Sequence, residues 1–99
     1  MRKEITIGNK VISENSPAFI IAELSCNHNN DLDIAYKTID AMHDSGADCV
    51  KLQTFKPSSL TLDTNKDDFI IKGGILWDDI SLLELYKKVY TPWEWHSEL

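Results

Sequence analysis

The sequence predicts an α/β fold that opens with a parallel β-α-β unit, and three features point to it. Phe19-Ile20-Ile21-Ala22 is a short apolar run that passes into the polar-rich stretch Glu23-Leu24-Ser25-Cys26-Asn27-His28-Asn29-Asn30. Leu32, Ala35, Ile39 and Met42 then recur at three-and-four spacing, which marks a helix with one packed face. Cys49-Val50 is a second apolar run, and it too ends in polar residues, Lys51-Leu52-Gln53-Thr54. Strands joined through a crossover helix run parallel, so their polar ends gather at one rim of the sheet. Ligands of α/β enzymes bind at that carboxyl rim.

The elements follow in order. Ile5-Thr6-Ile7 and Val11-Ile12 flank Gly8-Asn9-Lys10, whose Gly and Asn suit positive-φ turns, so a small hairpin is expected. Ser13 to Pro17 links it to the first strand of the unit, with Pro17 restricting the entry. Asn30 is the expected N-cap of a helix from Asp31 to about Ser45, and Asp31 and Asp33 favour the positive end of its dipole. Asp33, Lys37, Asp40 and Asp44 make the solvent stripe, and Gly46 suits the left-handed residue that ends the helix.

From Lys56 to Asp79 the chain is one long connection, longer than packing requires and therefore a functional loop by expectation. Leu82, Leu85, Tyr86 and Val89 mark an additional amphipathic helix. Thr91-Pro92-Trp93-Glu94 has the form of a capping box, with Thr91 as N-cap, Pro92 in first helical position and Glu94 reaching back.

Composition narrows the function. The chain has 99 residues, 42% of them hydrophobic, with three tryptophans, which suffices for a core. A formal net charge of -6 argues against nucleic-acid partners, because counterion displacement needs clustered lysine and arginine. Cys26 and Cys49 have no metal-type spacing, so reduced thiols are expected. Met1-Arg2-Lys3 is followed by alternating residues and Glu4 instead of an apolar signal core, and every apolar run falls far below the roughly 20 residues of a membrane span. The chain reads as cytoplasmic, without a membrane partner.

Residues two apart on a strand share a face, so Phe19, Ile21 and Glu23 point one way, and Lys51 and Gln53 also share a face. A charge among apolar neighbours costs several kcal/mol, by order of magnitude, unless it is paired or serves a ligand. Lys51 can hold a phosphate or carboxylate as a point charge. Gln53 can donate to and accept from hydroxyl or acetamido groups. Glu23 can accept from a sugar, orient Lys51 or transfer a proton, and Asn27 and His28 can bind substrate or fix their loop. The bland reading is solvated strand ends, and the gathering of Glu23, Asn27, Lys51 and Gln53 at one rim weighs against it.

Other motifs carry less. Asp63-Thr64-Asn65-Lys66-Asp67 starts like a calcium loop, but Asp68 stands where glycine is needed and Gly74 where glutamate is needed. Lys72-Gly73-Gly74 offers either a backbone anion cradle or simple flexibility. Trp93 and Trp95 are expected to pack on the exterior of the fold in preference to stacking on sugar.

Ile20-Ile21-Ala22-Glu23-Leu24-Ser25-Cys26-Asn27-His28-Asn29 and Ser45-Gly46-Ala47-Asp48-Cys49-Val50-Lys51-Leu52-Gln53-Thr54-Phe55 closely resemble the start of the sialic acid synthase family. Asp68-Phe69-Ile70-Ile71-Lys72-Gly73-Gly74, Leu76-Trp77 and Tyr90-Thr91-Pro92-Trp93-Glu94-Trp95-His96 resemble its pseudaminic-acid branch. The resemblance runs from about Phe19 to Leu99, and Asn30 stands where the family often has glycine. It implies the amino-terminal part of a (β/α)₈ TIM barrel, a fold of roughly 250 residues, with the hairpin at its bottom, so that 1–99 would be an incomplete piece lacking the rest of the barrel and a carboxy-terminal lid.

The implied reaction condenses phosphoenolpyruvate with a diacetamido-trideoxy sugar. Lys51 would contact phosphoenolpyruvate, Gln53 the sugar, and Glu23 with Lys51 would serve catalysis. The family's divalent metal, manganese or magnesium, is held by two histidines on later strands. It would act as Lewis acid and template on the aldehyde, and neither His43 nor His96 is expected to be a ligand. A homodimer is implied for the full-length enzyme. The alternatives are synthesis of N-acetylneuraminate or legionaminate, or a non-catalytic interaction module.

Overall fold

A computed structural model describes residues 3–74 and 76–99. Strands β1 (Ile5–Ile7) and β2 (Lys10–Ile12) form the expected antiparallel hairpin, with Gly8 at φ 57°. Lys10 joins the second strand instead of the turn, and its ammonium lies 3.2 Å from Asp48 Oδ1. The Ile20 amide donates to the other oxygen of Asp48 at 2.9 Å, so one carboxylate pins the hairpin to the entry of both sheet strands. The Ile20 amide first, and Lys10 with it, holds Asp48 below its ordinary carboxylate range.

The β-α-β unit forms as expected, with different edges. Strand β3 spans Ile21–Ser25 and β4 spans Cys49–Leu52, paired in parallel as Ile21 with Cys49, Ala22 with Val50 and Glu23 with Lys51. The first strand begins at Ile21 instead of Phe19 and runs past Glu23 to Ser25. A register shift between Glu23 and Ser25 leaves Leu24 as an extra residue, and Ser25 takes φ 53°. Such bulges redirect side chains at functional rims.

Helix α1 covers Leu32–Asp44, and its N-cap is Asp31, not Asn30. The reason is backbone geometry. An N-cap must be extended, as Asp31 is at φ -126° and ψ 118°, whereas Asn30 is left-handed at φ 53°. The Asp31 carboxylate accepts from the amides of Asp33 and Ile34 at 2.8 and 3.2 Å. At the other end Gly46 has φ 88°, as its place after the helix requires. Helix α1 packs on β3 and β4, and Leu24 and Ala35 are buried. Ile21, Glu23 and Lys51 are exposed, so their face of the sheet has no helix over it.

The long connection contains a short helix α2 (Pro57–Leu60), a 3₁₀ turn (Asp67–Phe69) and a bridge between Ile70 and Ser81. Gly73 and Gly74 amides donate to the Asp78 carboxylate at 3.0 and 2.7 Å, so a neighbouring side chain occupies that cradle. Helix α3 spans Leu82–Val89, capped by Ser81, whose hydroxyl accepts from the Glu84 amide at 3.2 Å. Leu83 is buried, and Tyr86 meets Phe55 edge to face at 5.7 Å.

The capping box does not form. Residues Trp93–Ser97 make a 3₁₀ turn with Pro92 in the cap position and no side-chain cap bond. Thr91 is fully buried, and its hydroxyl bonds to His28. A tertiary partner 63 residues away outcompetes the local cap.

Candidate active site

Register places Glu23 beside Lys51 on the helix-free face, and the two form an ion pair. Both side chains are about half exposed, at 50% and 55%. Exposed pairs of this kind contribute roughly 0–1 kcal/mol, so stability does not account for the arrangement. Lys51 can exchange its carboxylate for an incoming anion at small cost, and Glu23 can hold the ammonium in place until then. Gln53 lies just beyond the end of β4 and is exposed.

Asn27 and His28 separate from that pair. Asn27 is exposed and lines a cleft of about 710 Å³ between its own loop and α3. His28 is fully buried. The Asn30 amide donates to its Nδ1 at 3.1 Å, which makes Nδ1 an acceptor and puts the proton of the neutral ring on Nε2. Nε2–H then donates to Thr91 Oγ1 at 2.9 Å, and Trp95 meets the imidazole edge to face at 5.1 Å. Both ring nitrogens are engaged, so this geometry supports the loop-fixing role for His28 over direct substrate contact. Thr91 is the partner that sequence reasoning missed, because no local signal marks so distant a contact.

Burial lowers the His28 pKa from its ordinary 6.5. The unfolded chain therefore binds more protons than the folded one as pH falls through 6.5, and stability falls with it. The associated stability should be fully present above that value and lost as pH drops through the lower folded pKa. Melting temperatures followed from pH 7.5 to 5 should decline below about 6.5 in wild type, and less steeply in His28→Gln. Parallel profiles would remove His28 as the cause.

Trp95 packs against His28, whereas Trp93 is half exposed. Trp93 Nε1–H donates to the Phe55 carbonyl at 3.1 Å, and Lys56 Nζ sits 4.6 Å from the Trp93 ring centroid. His96 Nδ1–H donates to the Trp93 carbonyl at 3.1 Å, leaving Nε2 to accept from the Thr54 hydroxyl at 2.6 Å. His43 is exposed on α1 beside Asp44. Among the described residues no three His, Cys, Asp or Glu side chains cluster as a metal site. No helix among the described residues is long and apolar enough to cross a membrane.

A parallel β-α-β unit carrying a cation and a carboxylate side by side at its carboxyl rim defines an α/β chain with a candidate anion-binding site. Residues 38–99 match the profile of the NeuB family, which covers more than half of the chain. The chain belongs to the NeuB family. It is 53% identical over 93 residues to the pseudaminic acid synthase of Campylobacter jejuni, covering 94% of this chain and 26% of that protein. With the pseudaminic acid synthase of Helicobacter pylori it shares 55% identity over 83 residues, 84% of this chain and 24% of that one. The chain thus spans about a quarter of the length of these relatives. Its structure matches the crystal structure of the spore coat polysaccharide biosynthesis protein SpsE of Bacillus subtilis with a TM-score of 0.61 and 31% identity, over 97% of this chain and 23% of that chain.

Proposed function

We infer that this chain is the amino-terminal part of a pseudaminic acid synthase, a barrel enzyme of the cytoplasm that condenses phosphoenolpyruvate with 2,4-diacetamido-2,4,6-trideoxy-altropyranose. The observation that carries this reading is the Glu23–Lys51 pair on the helix-free face of β3 and β4, in a chain more than half identical to two pseudaminic acid synthases. In a barrel, helices cover the outside and side chains fill the inside, so substrate is met at the carboxyl ends of the strands, where Glu23 and Lys51 stand.

In the reaction, C3 of the enol forms a bond to the aldehyde carbon of the open-chain sugar, and water adds to C2. The C–O bond to phosphate then breaks, and inorganic phosphate leaves with the electron pair. Lys51 holds the phosphate or carboxylate of phosphoenolpyruvate as a point charge. Gln53, further along the same face, bonds the sugar. Glu23 orients Lys51 and is placed to exchange a proton at the rim. The divalent cation, manganese or magnesium, takes its ligands outside this chain, and the full-length enzyme assembles as a homodimer.

Competition tests the substrate. Full-length protein given phosphoenolpyruvate with equal amounts of the diacetamido altrose derivative and N-acetylmannosamine should yield chiefly pseudaminate. Preferential turnover of N-acetylmannosamine would move the enzyme to N-acetylneuraminate synthesis, and preferential use of the corresponding mannose isomer to legionaminate synthesis. Absence of phosphate release with all three sugars would remove the synthase reading.

A further inference from the structure

Gln53 directly follows Leu52, the last residue of β4 and the partner of Ser25 across the bulge. Its position therefore depends on what holds the chain beyond the sheet. The 3₁₀ turn Trp93–Ser97 holds that chain at consecutive residues, since the Thr54 hydroxyl donates to His96 Nε2 at 2.6 Å and the Phe55 carbonyl accepts from Trp93 Nε1–H at 3.1 Å. His96 is fixed from its other side, because Nδ1–H donates to the Trp93 carbonyl at 3.1 Å, and a neutral imidazole that donates at Nδ1 accepts at Nε2. Phe55 is buried and meets Tyr86 of α3 edge to face, which anchors the far end of the segment. The same turn also reaches the loop after β3, where Trp95 meets His28 edge to face and Thr91, just ahead of the turn, bonds to it. One turn thus grips the segments that leave both strands.

We propose that Thr54 and His96 are positioning residues, and that their bond braces the segment carrying Gln53 so that its amide is set for the sugar. The proposal rests on the synthase reading and deepens it. Lys51 and Gln53 differ in their need for such a brace. Lys51 lies within the ladder and is paired with Glu23, so the sheet itself sets its place. Gln53 lies outside β4, and both it and Thr54 are exposed, so without the brace the segment would take on the mobility of an ordinary loop. Stability does not account for the Thr54–His96 bond, because an exposed hydrogen bond between neutral groups exchanges with water at small net gain. Orientation does, since displacing a substrate contact by about 1 Å can cost up to roughly a hundredfold in rate.

The test uses full-length enzyme carrying Thr54→Val, Thr54→Ser or His96→Phe. Valine keeps the shape of threonine without its hydroxyl, and serine keeps the hydroxyl. The KM for the diacetamido-trideoxy sugar should rise roughly three- to tenfold, the scale of one hydrogen bond between neutral groups, in Thr54→Val and in His96→Phe. It should return close to the wild-type value in Thr54→Ser, and the KM for phosphoenolpyruvate should stay unchanged throughout. Combining Thr54→Val with His96→Phe should add little to either alone, because both delete the same bond. Unchanged sugar KM in both variants overturns the proposal, as does an equal rise for both substrates or a Thr54→Ser enzyme as impaired as Thr54→Val. Hydrogen exchange of residues 53–56 in the same proteins separates failure of the brace from failure of the reaction. Faster exchange there in Thr54→Val and His96→Phe, restored in Thr54→Ser, upholds the brace even where wild type turns over no sugar, a result that removes the synthase reading alone. Exchange equal to wild type in both variants overturns the brace whatever the kinetics.

Discussion

Lys51→Ala in the full-length enzyme should reduce kcat/KM for phosphoenolpyruvate by about a hundredfold, the scale of one charge-assisted contact of roughly 3 kcal/mol. The fold should be nearly unaffected. Lys51 is half exposed and its one ion pair is of the weak surface kind, so a melting curve should shift by no more than an exposed pair allows, under about 1 kcal/mol. The separation between a large kinetic loss and a small thermal one distinguishes an anion-binding lysine from a solvated strand end. Unchanged KM and kcat would take Lys51 out of the site. Glu23→Gln then sorts the three roles open to the carboxylate. Loss of Lys51 orientation raises the phosphoenolpyruvate KM, loss of a sugar acceptor raises the sugar KM, and loss of proton transfer lowers kcat and alters its pH profile.

The β-α-β unit was readable because its signals are local. Apolar runs, three-and-four spacing and Gly46 act over a few residues, and the structure contains the strands, helix and left-handed glycine they imply. Parity alone put Lys51 and Gln53 on one face, and register then set Glu23 beside Lys51. Boundaries depended on partners that no window contains. The strand runs on to Ser25 because Leu52 pairs with it across the bulge, and the cap moves to Asp31 because Asn30 is left-handed. Thr91 failed as a cap for the same reason at longer range, since a buried imidazole requires a hydrogen-bond partner more strongly than an exposed turn requires a cap. Of the four polar groups expected at one rim, Glu23, Asn27, Lys51 and Gln53, the register pairs Glu23 with Lys51, whereas the bulge and the tight loop after β3 direct Asn27 to a cleft and His28 to the interior.

Residues 1 to 99 made alone should release no phosphate from phosphoenolpyruvate and sugar, and should associate in solution. The radius of gyration is 17.6 Å, against about 13 Å for a compact domain of this length. The buried hydrophobic residues among those described are Leu24, Ala35, Phe55 and Leu83, a small core for such a chain. Ile21 at the start of β3 keeps half of its surface exposed, and among the described residues β3 and β4 form a sheet of two strands, each with an unpaired edge. Two strands do not hold together without further covering, and open edges beside apolar side chains invite pairing with another copy. Activity should vanish completely instead of falling in proportion, because groups that act as a unit lose function together and the described residues hold no metal cluster. Phosphate release with manganese and both substrates, with light scattering on the same sample, checks both parts. Steady turnover by a verified 99-residue monomer would show that the rim of β3 and β4 suffices, and would overturn the placement of this chain within a larger barrel.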